Sequence, residues 1–373
     1  MAKRVKKSKR RARIWAALTI GILIAAVVLA FIPVPARWVE RFYSTGAYPW
    51  LQSILTSLTN RVRFSVGDVL LVALVLGLLI LWIVRIKRAR GRRTREVASL
   101  VLKSLVAAAT IYLAFLVLWG FNYQRRPLMD KIDYDQNRLN GDVRKALVYS
   151  TIERLNADAN SNHGSAWPND AEWQSRLLES FNQVVVDLGN RKGIVPAAAK
   201  TSLSDFFLGK TAVSAFTNPF GLEIILNSDL LSIEKPFTLA HEWAHLAGFA
   251  DESEANFVAL LACARSDVAA IRYSGWLALF SYLPPVREKE TLNVAGSARK
   301  PTLTPEVVAD LTAIEERSRK RLSPTVSRIQ NRFYDGFLKA NGVESGIGSY
   351  GLFVRLILGT RFEPEWVPAR RSE

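Results

Sequence analysis

The sequence predicts an α-helical membrane anchor of three spans followed by a helix-dominated α+β domain. Three observations predict it. The first is a set of three long apolar runs confined to the first third of the chain. Ile14 to Ile32 is a stretch of 19 residues without a charge, Phe64 to Val84 carries one charge, Asp68, and Leu105 to Phe121 carries none. Each approaches the roughly 20 residues that a helix needs to cross the hydrocarbon layer. The second observation is the distribution of charge. Residues 1–104 hold 20 Lys and Arg against three acids, which accounts for the whole formal charge of +17, and the remaining residues balance. The third is the change of pattern after residue 122, where short apolar-periodic segments alternate with turn residues.

The basic residues flank the runs. The segment "MAKRVKKSKRRAR" has eight Lys and Arg before the first span, "RIKRARGRRTR" (85–95) has seven between the second and third, and the loop 33–63 has four. Positive loops stay in the cytoplasm. Residues 1–13 are therefore expected inside, spans at about 14–32, 64–84 and 105–121 cross in turn, and residues 123–373 lie outside. The first run lacks a small-x-small cleavage site and two further spans follow it, so it reads as an anchor and not as a signal peptide. With the basic character confined to the anchor, nucleic acid is excluded as a partner and the lipid bilayer takes its place. The single cysteine, Cys263, permits no intrachain disulfide and sits in the apolar run "FVALLACA", where a buried thiol is expected.

In the second part, helices are expected within 124–165 around "VRKALVYSTIERLNADA", then over 171–189, 237–247, 252–265, 267–282, 305–340 with an interruption at Pro324, and near 349–358. Residues 284–305 form a charged, Pro-bearing connector. "FTNPFGLEIILNSDLL" reads as a turn followed by a short strand through Leu222, Ile224 and Ile225. That strand is a candidate open edge to which an extended peptide could add.

Chemistry concentrates in "TLAHEWAHLAGFADESEANF" (238–257). His241 and His245 stand four apart and so project from one face of a helix, a spacing that lets one zinc ion meet both rings. Glu242 lies about 100° around the axis, placed to act as general base on a zinc-activated water without ligating the metal. The third ligand comes from Asp251, Glu252 or Glu254. Gly248 suits a helix C-cap. Asp251 as N-cap and Glu254 three residues on form a variant capping box for the next helix. This leaves Glu252 to face the metal, with Asn256 one turn along to orient a ligand. Asp251 matches a metzincin spacing, but those enzymes need a methionine downstream, and Met1 and Met129 are both upstream. Glu254 serves if the second helix is rotated. His163, Tyr273 and Tyr282 are candidate donors to an oxyanion.

The stretch "HEWAHLAGFADESEANF" resembles gluzincin-type metallopeptidases, which imply His241, His245 and Glu252 as zinc ligands, Glu242 as base, and a zincin-like domain. More narrowly, "YSTGAYPWLQSIL", "RFSVGDVLL", "WGFNYQRRPL", "NPFGLEIILN", "RYSGWLALF" and "SYGLFVRLILG" together resemble the bacterial membrane family DUF3810. The resemblance implies three N-terminal spans followed by a zincin-like domain; the flanking charges put that domain outside the cytoplasmic membrane, and the metallopeptidase motif makes a peptide or protein the expected substrate. A zinc amidase on cell-wall peptide and a non-catalytic zinc-stabilised scaffold are the alternatives. A topology reporter fused after Tyr123 or at Glu373 is expected to register outside the cytoplasm and one within 86–95 inside. A cytoplasmic signal from the Glu373 fusion overturns this orientation.

Overall fold

The computed structural model describes residues 2–89, 91–162, 167–283, 301–343, 346 and 352–371. Three helices are long and apolar enough to cross a membrane. They lie within α1 (Ala2–Phe31), α3 (Val66–Arg88) and α4 (Arg93–Leu118). The apolar part of α3 buries none of its residues against protein, so it is no core helix. Ser65 caps it, its hydroxyl accepting from the Asp68 amide at 3.1 Å. The Asp68 carboxylate reaches into the domain, accepting from Leu203 N at 2.7 Å and Ser202 Oγ at 3.1 Å.

Residues 36–59, expected as a loop, are helical. A π-helix (Val39–Ala47) runs into α2 (Tyr48–Thr59). The buried face of α2 is mainly polar: Tyr48, Gln52, Thr56 and Thr59. An apolar-periodicity test misses such a helix. These side chains hydrogen-bond domain carbonyls, Tyr48 Oη donating to Leu246 O (3.1 Å), Gln52 Nε2 to Val195 O (2.7 Å) and Thr56 Oγ1 to Leu222 O (2.9 Å). Anchor and domain therefore share one interior.

The domain continues through α5 (Gly141–Asn162), α6 (Asp170–Asp187) and the short α7 (Asp205–Thr211). Then come α8 (Lys235–Leu246), α9 (Glu252–Ala264) and α10 (Ala269–Tyr282). The 305–340 segment divides at Pro324 into α11 (Pro305–Lys320) and α12 (Pro324–Ala340), and α13 is Leu352–Gly359. Residues 284–300 of the connector and 349–351 of the expected last helix lie outside the described residues. Helix α9 is the hub, packed by α6, α8, α10 and α13. Burial on nearly every face explains its apolar, weakly periodic sequence. Cys263 is buried in it, and α10 comes so close that a Cβ on Gly275 would stand 2.6 Å from the cysteine Cβ.

A three-stranded sheet, order β1-β3-β2, joins β1 (Ala199–Lys200) parallel and β2 (Ala215–Asn218) antiparallel to β3 (Glu223–Leu226). The expected strand is thus the central one, with both edges paired. The edge strands are β1 and β2, of two and four residues, too short for alternation to announce them. A small hairpin, β4 (Phe362–Glu363) with β5 (Val367–Pro368), follows α13.

Glu223 of β3 fastens the sheet to the first turn of α3. Its fully buried carboxylate accepts from Gly67 N (2.6 Å), Val66 N (3.1 Å) and Lys200 Nζ (2.7 Å). Free amides in the first turn of α3 and its positive dipole end make this a natural anion seat. Burial would raise the Glu223 pKa, but Lys200 and these amides hold it below the ordinary value. Removing one partner of a buried pair strands the other. Lys200→Met is therefore expected to cost about 3–5 kcal/mol in detergent unfolding. A loss under ~1 kcal/mol, the range of an exposed pair, contradicts that role.

Candidate metal centre

Helix α8 starts with Pro236 in its first turn and stops in a Schellman turn. Phe249 N donates to Ala244 O and Gly248 N to His245 O, both at 3.0 Å, with Gly248 at φ +87°. A Cβ at Gly248 would also stand 3.0 Å from Asn122 Oδ1. The reversal brings in α9, capped by Asp251, whose carboxylate accepts from Ser253 N (2.8 Å) and Glu254 N (3.1 Å). With Asp251 turned to the helix end, the next residue, Glu252, faces back toward α8.

His241, His245 and Glu252 converge there. Each offers one ligand atom, and these atoms lie within 4.8 Å of one another. The two Nε2 atoms are 3.1 Å apart, and Glu252 Oε2 is 3.2 Å from His241 Nε2 and 3.7 Å from His245 Nε2. The far side of each ring is already engaged. His245 Nδ1 lies 2.8 Å from Phe249 O, and His241 Nδ1 lies 2.9 Å from Asn256 Oδ1. A carbonyl oxygen only accepts, so Nδ1 of His245 carries the proton and its Nε2 is free to ligate; the Asn256 oxygen assigns His241 the same way. Tyr334 of α12 donates its hydroxyl to Glu252 Oε1. The other carboxylate oxygen, Oε2, is buried without a hydrogen-bond partner and faces the two Nε2 atoms.

The charges of the three groups depend on one another. Burial opposes ionisation of Glu252, yet His245 and His241 hold its carboxyl well below the ordinary range. Burial likewise opposes a charged His245, but Glu252 and then Glu242 push it up to about 9. The group calls for positive charge at the point where three ligand atoms meet. Two imidazole nitrogens and one carboxylate oxygen are a donor set that fits zinc with a remaining open position.

Glu242 lies on the same cleft, its carboxylate accepting from Thr217 Oγ1 of β2 at 2.7 Å. Burial raises its pKa, against the pull of both histidines. The cleft has a volume of about 830 Å³ and an apolar lining, with Phe115, Trp119 and Tyr123 from the end of span three on one wall. Trp119 Nε1 donates to His245 O at 3.1 Å, so the end of α4 touches α8 directly. Arg125 braces the turn: it pairs with Glu40 at 2.7 Å, reaches Asn190 Oδ1 at 2.7 Å and lies 4.5 Å over the Phe249 ring.

The rival ligands are otherwise occupied. Asp251 caps α9. Glu254 does not close the expected capping box; it turns away to accept from Leu128 N at 2.5 Å, and burial followed by the Asp251 charge raises its pKa to about 7. Among the oxyanion candidates, Tyr282 lines the cleft, but Tyr273 points to Asp310 Oδ2 (2.5 Å) on α11. His163 lies outside the described residues. Tyr334 and Thr217 escaped sequence reading: each is remote from its partner along the chain, and no local pattern marks either.

Residues 43–358 match the family described as protein of unknown function (DUF3810). The chain belongs to this family. No curated protein and no solved structure matches it. The DUF3810 match runs from the π-helix to α13 and so covers both the last two long apolar helices and the whole histidine–carboxylate cluster.

The DUF3810 chain is expected to bind one zinc, measured by elemental analysis after purification. His241→Ala or His245→Ala removes it and Glu252→Gln weakens it strongly, while Asp251→Asn and Glu254→Gln retain it. Asn256→Ala lowers affinity about 10–100-fold, the usual effect of releasing a ligand's hydrogen-bond partner. Loss of zinc in Glu254→Gln with retention in Glu252→Gln reverses the ligand assignment.

Proposed function

We propose that the chain is a zinc metallopeptidase of the bacterial cytoplasmic membrane, with its N-terminus inside and its metal domain outside. One observation carries the reading: His241, His245 and Glu252 converge with Nδ1 of both histidines engaged, while Glu242 borders the same cleft outside the ligand set.

His241, His245 and Glu252 would hold the zinc. A zinc bound there supplies Lewis acidity, polarising a carbonyl and acidifying a water. Glu242 serves as the proton carrier. Its carboxylate takes a proton from the attacking water and returns it to the leaving amine, and burial, which raises its pKa, favours its holding that proton in between. Thr217 fixes its orientation. Tyr334 and Asn256 hold Glu252 and His241 in place.

The strand β2 gives substrate a place to lie. Asn227 N bonds Ser214 O at 2.9 Å, and the antiparallel alternation then assigns Phe216 and Asn218 to the β3 side. The main-chain groups of Ala215 and Thr217 point away from β3, and both residues line the cleft. An extended peptide can pair with them. The apolar cleft suits a peptide with hydrophobic side chains better than sugar-bearing wall material. A purely structural zinc site has no use for a base such as Glu242.

Glu242→Gln is expected to keep its zinc and to lose at least ~10²-fold of hydrolysis on a quenched-fluorescent peptide library, the lower range for a removed general base. Hydrolysis at the native rate in that variant moves the base elsewhere and sinks the mechanism.

A further inference from the structure

We propose that α7 and α12 seat in the bilayer leaflet on the domain's side and form a lipid-contacting rim around the metal cleft. Helix α12 carries two adjacent rows. Gln330 and Tyr334 line the cleft, whereas Ile329 and Phe333 are 53% and 75% exposed outside it, and Phe337, at i+8, is 41% exposed at the cleft's edge, which it also lines. The segment around α7 adds Leu203 at 79%, Phe206 at 68% and Phe207 at 48%. Scattered exposed apolar residues need no explanation, but a run of large ones on two packed helices marks an interaction surface.

Position in the fold identifies what covers it. Asp68, in the first turn of span two, holds Ser202 and Leu203, which places the entry to α7 at the domain end of that span. Ser323 N donates to Lys210 O at 2.9 Å, so α12 begins where α7 ends. At its other end, Phe337 stands 5.9 Å from Phe115 and 6.1 Å from Tyr123, at the domain end of span three. The apolar rows thus run between the ends of two spans, continuous with the bare apolar surface of α3. Exposed Arg328, Arg332 and Lys339 accompany the α12 row. This is the composition of a helix lying in the headgroup boundary, with apolar side chains down and bases reaching phosphates. A cleft rimmed in this way opens at the bilayer surface and receives polypeptide lying along it. That consequence rests on the peptidase reading; the lipid seat rests only on the spans crossing a bilayer.

The test uses the full chain in a Cys263→Ala background, with single cysteines introduced by Phe206→Cys, Phe333→Cys, Leu76→Cys in mid-span, and Arg319→Cys on the exposed side of α11. Each is labelled with a nitrobenzoxadiazole fluorophore and reconstituted into phosphatidylethanolamine–phosphatidylglycerol vesicles with or without acyl-brominated lipid. The 206, 333 and 76 labels are expected to lose at least ~2-fold of their emission to the brominated lipid, as apolar groups below the headgroups should, while the 319 label is unaffected. Quenching at 76 with none at 206 and 333 overturns the proposal, as does disulfide cross-linking between copies through residue 333 in place of quenching, which assigns the surface to a second copy. No quenching at 76 removes the spanning arrangement and the proposal with it. None of these outcomes depends on zinc or hydrolysis, so they separate from the fate of the peptidase reading.

Discussion

A carboxylate buried between two imidazoles organises this molecule. Glu252 is 3% exposed, and an isolated charge at that depth costs several kcal/mol unless it is paired and hydrogen-bonded. The fold supplies His241 and His245 on one side and the Tyr334 hydroxyl on the other. Every upstream feature of the turn serves that meeting. The Schellman reversal at Gly248 sets the angle between α8 and α9, and the Asp251 cap sets the phase of α9, so that residue 252 and not 251 or 254 looks back at the histidines.

The same turn is where the apolar spans meet the domain. Tyr48, Trp119 and Arg125 each reach main-chain or ring atoms between His245 and Phe249. On the opposite side, Glu223 and Asp68 tie the sheet and the start of α7 to the first turn of span two. Packed interiors do not deform continuously, so a cluster built this way keeps a fixed position relative to α3 and α4.

What the sequence revealed follows from the range of the interactions involved. The two histidines, Glu242 and the helix they share were readable because a four-residue spacing fixes a common face. Glu252 was readable because the cap claims Asp251, a local rule. The three long apolar helices were readable from the length of their uncharged runs. Beyond that range the pattern fails. Helix α2 buries Gln52 and Thr56 and so carries no apolar stripe. Strands β1 and β2 have two and four residues, too few to alternate, and the strand that did read clearly proved central and not open-edged. Tyr334 lies 82 residues from Glu252 along the chain, and Thr217 lies 25 from Glu242. Only folding brings those pairs together. The segment "WGFNYQRRPL" belongs to the stretches that resemble the family, yet its task of bracing the metal turn with Trp119 and Arg125 shows only in three dimensions.

The central claim is that the Glu252 carboxylate and the two imidazoles form a zinc site with an open position. X-ray absorption at the zinc edge of the purified full-length chain tests it most directly. The account predicts two imidazole nitrogens and two oxygens, one from carboxylate and one from solvent, at about 2.0–2.2 Å. A zinc shell containing sulfur from Cys263, a closed shell without a solvent oxygen, or a protein that takes up no zinc would contradict it.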